Sequence, residues 1–309
     1  MYTTRPYQNW HDLQTIADLA YGASPNFLHV IDLPYRLASW TLDKPQNFQF
    51  WHDEAGTLLA VAIVQEAFLT LEYIIHPWGD RAVLEPEILR WGLQRGQMVA
   101  NEQATTFPIN VWLRNDHLQL DRVALLEAHG LLPGVNEDVT MQCDLGQVGS
   151  LDEMLAVVPA GFKIRPLRGQ AEVAAYVELH QAAFGSTVMR QGWRMRTLQM
   201  PQYRPELDLV AEAGDGRLAA FCISWLHPQQ PLAQIEPLGV HPDFQRMGLG
   251  KAILATALQR LHMRNVQFVS LFTSADNKPA LKLYESVGFQ KKYTMSNYRL
   301  LFRPTNDDE

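Results

Sequence analysis

The 309-residue chain is poor in cysteine, with only Cys143 and Cys222. Cys222 lies in an apolar run that is typical of a buried strand, so a core thiol is a better interpretation than a nucleophile. The ten histidines are scattered, and none forms a metal-ligand spacing with a cysteine. These shortages predict a protein of the reducing cytoplasm that contains no bound metal.

Long apolar runs are also missing. No segment offers the roughly 18 consecutive apolar residues that cross a bilayer, and the N-terminus lacks the apolar stretch of a secretory signal. The hydrophobic share of 47% and the charged share of 19% are those of a globular protein. We therefore expect no membrane partner.

Basic residues are scarce in the first half of the chain. Residues 1–160 hold 8 basic and 20 acidic side chains, whereas residues 161–309 hold 18 and 13, so the halves carry −12 and +5. The weak positive charge of the second half is not interleaved with aromatic residues, as a nucleic-acid surface would be. We expect no nucleic-acid partner, and a small polyanion bound by the second half fits the charge better.

An internal repeat divides the chain at an offset of 158 to 165 residues. Five matches in the same order predict two copies of one fold, with domains at 1–155 and 156–309. The pattern of strands and helices predicts an α/β class, in which each domain is a mixed, mostly antiparallel sheet flanked by helices. The matched segments are Thr4–Pro6 with Ile164–Pro166, Gly56–Ala60 with Gly216–Ala220, His76–Pro77 with His241–Pro242, Leu93–Arg95 with Leu258–Arg260, and Glu127–Leu131 with Glu285–Phe289.

A glycine-bearing loop follows a strand that is predicted over 233–240 and precedes an amphipathic helix predicted over 248–262. The N–H groups at a helix N-terminus attract anions, and Gly248 and Gly250 would let a phosphate approach the backbone. Arg246 and Lys251 add positive charge. On the loop alone, an ordinary turn before a surface helix is an equal alternative.

Two motifs resemble the GNAT family of N-acetyltransferases. Gln245-x-x-Gly248-x-Gly250 is similar to the family's pyrophosphate loop, and the segment from Asn277 through Tyr284 to Gly288-Phe289 is similar to its second signature. The resemblance covers about 163–301 and implies that acetyl-CoA is the cosubstrate and binds between splayed strands. The coenzyme-binding residues that it implies are Leu238, Val240, Gln245, Arg246, Met247, Gly248, Leu249, Gly250, Lys251 and Asn277.

Two further residues are candidates for the chemistry. The resemblance implies that Tyr284 is the general acid that protonates the departing thiolate, and the alternative is a half-buried tyrosine of a helix. An alkyl amine is mostly protonated at pH 7, so a base must accept its proton before attack. Glu236 is the candidate base, because Pro237 cannot donate a ladder hydrogen bond and favours a bulge or splay there. The alternative is that Glu236 faces solvent and takes no part.

The first copy provides an internal comparison. At an offset of 165, Asp80, Val83, Glu85 and Pro86 correspond to Gln245, Gly248, Gly250 and Lys251. Carboxylates would repel a phosphate, so the first domain is predicted to be a degenerate copy without a coenzyme loop. Leu126 stands where the second copy has Tyr284. This tandem plan resembles mycothiol synthase-like proteins.

Together these features predict an acetyl-CoA-dependent N-acetyltransferase whose second domain moves an acetyl group to a primary amine by direct attack. The expected partner is a small-molecule amine, and the expected state is a monomer or homodimer. Two alternatives are a non-catalytic acyl-CoA-binding module and a protein N-terminal acetyltransferase.

Overall fold

The computed structural model describes residues 2–23, 29–115, 120–147 and 157–305, and the predicted domain boundary at 155 lies outside them. The described chain forms two compact units. The first unit comprises Met1–Leu33, Trp40–Glu137 and Met295–Glu309, and the second comprises Pro34–Ser39 and Asp138–Thr294. Within the described ranges, no helix combines the length and the apolar character that crossing a bilayer requires.

Each half of the chain contains both strands and helices. The strands of the described ranges are β1 (Thr3–Arg5), β2 (Phe48–His52), β3 (Leu58–Gln65), β4 (Thr70–Ile75), β5 (Phe107–Arg114), β6 (Leu132–Asp144), β7 (Phe162–Pro166), β8 (Asp208–Ala213), β9 (Leu218–Leu226), β10 (Leu232–Val240), β11 (Phe268–Ser274) and β12 (Gln290–Phe302). The α-helices are α1 (His11–Ala23), α2 (Leu33–Leu37), α3 (Arg81–Gln103), α4 (Leu120–Ala128), α5 (Val173–Phe184), α6 (Gln191–Gln199), α7 (Leu249–His262) and α8 (Lys278–Glu285).

The two units have the same sheet topology. In the first unit the strand order is β1-β2-β3-β4-β5-β12, and in the second it is β7-β8-β9-β10-β11-β6. Neighbouring strands are antiparallel except for β4 with β5 and β10 with β11, which are parallel. The predicted mixed, mostly antiparallel sheets are confirmed, and so is the tandem arrangement.

Side-chain chemistry repeats with the fold. Arg5 Nη2 lies 2.7 Å from Asp12 Oδ1, and Arg165 Nη2 lies 2.6 Å from Glu172 Oε1. Each carboxylate also accepts a backbone N–H, from Gln8 in one copy and from the equivalent turn in the other. The arginines are 160 residues apart, and so are their partners. An equivalent arginine–carboxylate pair therefore ties β1 to the start of α1 and β7 to the start of α5.

The last strand of each unit comes from the opposite half of the sequence. Met295–Phe302 of β12 pairs with β5 in the first unit, and Asp138–Asp144 of β6 pairs with β11 in the second. From Gln290 onward the chain forms the single strand β12, so the second copy does not close its own sheet. Alternation of apolar residues indicates a strand but does not identify the neighbour with which it pairs.

A short segment of the first half also belongs to the second unit. Arg196 Nε donates to the Ala38 carbonyl at 2.9 Å, and its Nη2 donates to the Ser39 carbonyl at 3.0 Å. Trp193 Nε1 donates to the Tyr35 carbonyl at 3.0 Å. These bonds hold Pro34–Ser39 against α6.

The exchanged strand predicts how fragments of the chain behave. A fragment of residues 157–305 lacks β6, whose Val139, Met141 and Cys143 are buried in the core of the second unit. Losing these side chains and the ladder along β11 should destabilise it by about 4 kcal/mol or more relative to a fragment of residues 132–305. Thermal unfolding followed by circular dichroism measures the difference. Equal midpoints for the two fragments would contradict the role assigned to β6.

Candidate active site

The sheet of the second unit opens between β10 and β11. Their parallel pairing runs from Leu232 with Phe268 to Gln234 with Ser270, although both strands continue beyond it. The register of β10 on β9 also shifts between Ile235 and Leu238. Pro237 lies in this shift and has no N–H to donate to a ladder. The bulge and splay that Pro237 predicts are therefore both present.

Glu236 occupies the bulge with its side chain half-buried. Its carbonyl accepts a hydrogen bond from Trp225 Nε1 at 2.7 Å. Burial raises the pKa of Tyr284, Tyr176 and Tyr35 well above 10, and the negative charge of Glu236 raises each of them further. The carboxylate thus lies near enough to three buried phenols to act on them electrostatically.

Tyr284 lies on α8 with 7% of its surface exposed. Its ring centroid is 6.0 Å from that of Phe289, which closes the second motif. Because burial, Glu236 and Cys222 all raise the pKa of this phenol, it holds its proton at physiological pH. Tyr284 is thus fully buried and not half-buried, and the negative charge of Glu236 acts on its phenol.

The predicted coenzyme loop leads into α7, whose N-cap is Gly248. This residue has φ +84°, a left-handed conformation that favours glycine, and as the N-cap it offers no side chain to the first N–H groups of the helix. Gln245, Arg246, Met247 and Lys251 are exposed around it, and Leu249 is buried. Gln245 Nε2 donates to the Val240 carbonyl at 3.4 Å. An uncapped helix N-terminus on an exposed loop can receive a phosphate.

Gly250 lies where α7 approaches α8. A Cβ at this position would lie 3.2 Å from Leu283 Cδ2 and 3.5 Å from Val240 Cγ2. The first distance is tighter than ordinary packing, so a side chain here displaces its neighbours. The absence of a side chain at Gly250 therefore lets α7 pack closely against Leu283 of α8 and Val240 of β10.

The remaining predicted coenzyme residues surround the same opening. Leu238 and Val240 are half-buried in the part of β10 beyond its last pair with β11. Asn277 is the N-cap of α8, and its Oδ1 accepts from Ala280 N at 3.2 Å. Its side-chain oxygen is thus engaged in capping, which leaves the amide nitrogen as the group that the resemblance would assign to the coenzyme.

The equivalent space in the first unit is crossed by a side-chain network. Glu85 of α3 is buried, and its Oε1 accepts from Tyr73 Oη of β4 at 2.5 Å and from Arg122 Nε of α4 at 2.8 Å. Asp80 caps α3 by accepting from Ala82 N at 3.0 Å. A carboxylate therefore already occupies the helix N-terminus, and Leu126 is buried where the second unit has Tyr284.

One detail of the offset comparison is wrong. Matched by their N-caps, Gly248 of α7 corresponds to Asp80 of α3 and Gly250 to Ala82, whereas the offset of 165 matches them to Val83 and Glu85. Val83 lies within α3 and 44% of its surface is exposed. The loop before α3 differs in length from the loop before α7, and sequence matching placed the difference on the wrong side of the helix start.

Two buried residues of the second unit carry no motif and were missed by sequence reasoning. His180 of α5 lies with its Nε2 3.4 Å from Tyr35 Oη, and burial lowers the pKa of His180 to about 4. Tyr35 comes from the first half of the chain, so no pattern in the second copy could reveal it. The hydrogen bond of Trp225 to Glu236 depends on the bulge, so the sequence does not reveal that contact either.

Among the residues that the structure describes, His, Cys, Asp and Glu side chains form no group of three that could hold a metal ion.

The candidate site consists of the opening between β10 and β11, the helix α7 with its glycine N-cap, the carboxylate of Glu236 and the protonated phenol of Tyr284. This set can bind an anionic ligand and can both accept and donate a proton beside it.

Comparison with known proteins places this geometry in a family. Residues 173–289 match the acetyltransferase (GNAT) family model. The mycothiol acetyltransferase of Thermomonospora curvata is 30% identical over 223 residues, which cover 71% of this chain and 70% of the relative. The mycothiol acetyltransferase of Clavibacter michiganensis subsp. michiganensis is 32% identical over 223 residues, which cover 70% of each.

Solved structures share the whole fold at lower identity. A GCN5-related N-acetyltransferase from Sphaerobacter thermophilus has a TM-score of 0.67 at 20% identity and covers 99% of this chain and 97% of its own. A tandem GNAT protein from the clavulanic acid biosynthesis pathway has a TM-score of 0.68 at 15% identity and covers 99% of this chain and 100% of its own. The sequence relatives and the shared tandem fold together show that the chain belongs to the GNAT family of acetyltransferases and is an N-acetyltransferase.

Proposed function

We propose that the second unit transfers an acetyl group from acetyl-CoA to the primary amine of a small molecule. The observation that carries the proposal is the opening between β10 and β11, which has the uncapped N-terminus of α7 on one side and Glu236 and Tyr284 beside it. The first unit has a capping carboxylate and a side-chain network in the equivalent positions. It acts as a structural copy in this proposal.

The residues of the opening fit the coenzyme by their chemistry. The N–H groups that follow Gly248 point away from the helix and suit a pyrophosphate, and the exposed Arg246 and Lys251 add positive charge. Leu238, Val240 and Asn277 flank the opening and would contact the pantetheine arm. Acetyl-CoA supplies a thioester, which is open to attack by a neutral amine.

Glu236 and Tyr284 then divide the proton transfers. Glu236 accepts the proton that the ammonium group of the acceptor loses, directly or through a water molecule. The amine nitrogen forms a bond to the acetyl carbon while the carbon–sulfur bond breaks, and Tyr284 donates its proton to the sulfur. The nitrogen then loses its second proton, directly or through water, to the tyrosinate, which leaves a neutral amide and restores Tyr284. No acyl-enzyme forms, because the amine attacks directly.

The acceptor class follows from the chemistry and from the relatives. The relatives are named mycothiol acetyltransferases, after a small molecule. We therefore propose that the acceptor here is also a small-molecule amine. The enzyme would work in the cytoplasm as a monomer or homodimer. Its two cysteines are both buried free thiols, which suits a reducing compartment.

One prediction of the proposed function concerns the coenzyme loop. Gly250→Glu places a carboxylate and a bulky side chain beside Leu283, in the first turn of α7. Isothermal titration should show acetyl-CoA affinity weakened by at least about 100-fold, since charge repulsion and steric overlap add. Gly192→Glu is the matched control, because a Cβ at Gly192 of α6 meets nothing within 4 Å. Equal affinities of the two variants would contradict the assigned loop.

Another prediction of the proposed function concerns Tyr284 as the general acid. Tyr284→Phe removes the donated proton and keeps the ring, so kcat should fall by about 100-fold or more while the Kd of acetyl-CoA stays within a few-fold. Thiol release in the presence of a panel of amines, aminosugars and peptides measures the rate. Tyr298→Phe, in β12 of the first unit, is the control for the loss of a phenol. Wild-type kcat in Tyr284→Phe would remove Tyr284 from the mechanism.

A further inference from the structure

Trp225 is joined to the bulge that carries Glu236. It lies in β9 opposite Gln234, the last residue of β10 that pairs with β11. Its indole Nε1 donates to the Glu236 carbonyl at 2.7 Å, and only 1% of its surface is exposed. A buried side chain thus supplies the hydrogen bond that the backbone of β9 supplies elsewhere along the ladder.

The register of β10 on β9 explains why a side chain, and not the backbone of β9, donates to the Glu236 carbonyl. Ile235 pairs with Ser224 and Leu238 pairs with Cys222, so Glu236 and Pro237 together oppose the single residue Ile223. An extra residue on one strand interrupts the ladder and leaves backbone groups to be satisfied in another way. A buried carbonyl without a donor is unfavourable, and the indole N–H removes that cost.

We infer that Trp225 is a positioning residue, whose indole N–H fixes the Glu236 carbonyl and thereby the direction in which the Glu236 carboxylate leaves the bulge. This inference rests on the proposed function, since it concerns the group that accepts the acceptor's proton. Trp225 does not touch the reacting atoms in this account. It acts through the backbone of Glu236.

Trp193 provides a matched control. It is 3% exposed, lies in the same unit, and its Nε1 donates to the Tyr35 carbonyl at 3.0 Å. Trp193→Phe therefore removes the same donor from an equally buried tryptophan, but at a carbonyl outside the bulge.

The experiment compares Trp225→Phe with Trp193→Phe in two measurements. Hydrogen exchange by mass spectrometry reports on the backbone over 236–240, and Trp225→Phe should speed exchange there about tenfold relative to Trp193→Phe. With the amine that the wild-type enzyme acetylates fastest, Trp225→Phe should lower kcat about tenfold and leave the KM of acetyl-CoA unchanged.

Two further variants separate positioning from general destabilisation. In Trp225→His, the imidazole Nε2 is two bonds from Cγ, as the indole Nε1 is, so this variant should recover part of the lost kcat. In a Glu236→Gln background, the tenfold effect of Trp225→Phe should disappear, because residues that act through one group are not additive.

Different results would overturn the role of Trp225 and the proposed function. Equal exchange and equal kcat in Trp225→Phe and Trp193→Phe would overturn the inference, and so would a tenfold loss that persists in the Glu236→Gln background. A raised KM for acetyl-CoA would mean that Trp225 supports the coenzyme strand instead. If the wild-type enzyme transferred no acetyl group to any amine, the proposed function would fail, while the exchange comparison would still test the Trp225 contact.

Discussion

The interruption of hydrogen bonding along β10 determines where every group of the candidate site lies. After Gln234 the strand separates from β11, and at Glu236 and Pro237 it also slips by one residue on β9. The separation provides the space beneath the start of α7, and the slip brings a carboxylate to its edge. Proline contributes because it has no N–H to lose when the ladder ends. A continuous ladder would close the space and remove the site.

The two units show that topology alone does not make a site. Both have the same strand order, the same arginine–carboxylate pair and a helix after the fourth strand. In the first unit that helix is capped by Asp80, and Glu85 bonds to Tyr73 and Arg122 across the gap. The carboxylate N-cap of α3 in place of the glycine N-cap of α7, together with the Glu85 network, thus distinguishes the first unit from the second.

Much of the fold and of the candidate site could be predicted from the sequence, because the patterns that indicate them involve only residues close together in the chain. The glycine loop, Pro237 and the helix periodicity each act within a few residues, and the structure contains the elements that they predict. The exchanged strands β6 and β12 could not be predicted, since pairing depends on distant partners. For the same reason Tyr35 was missed, since it comes from the other half of the chain. The contact of Trp225 with Glu236 was also missed, because it depends on the bulge.

The proposed function requires that only one of the two similar units bind acetyl-CoA. Isothermal titration of acetyl-CoA into the intact, unmodified chain measures the number of binding sites through the stoichiometry. One equivalent per chain is expected, because the second unit has an uncapped helix at Gly248 and the first has a carboxylate at Asp80. Two equivalents, or none, would show that the coenzyme site is assigned wrongly.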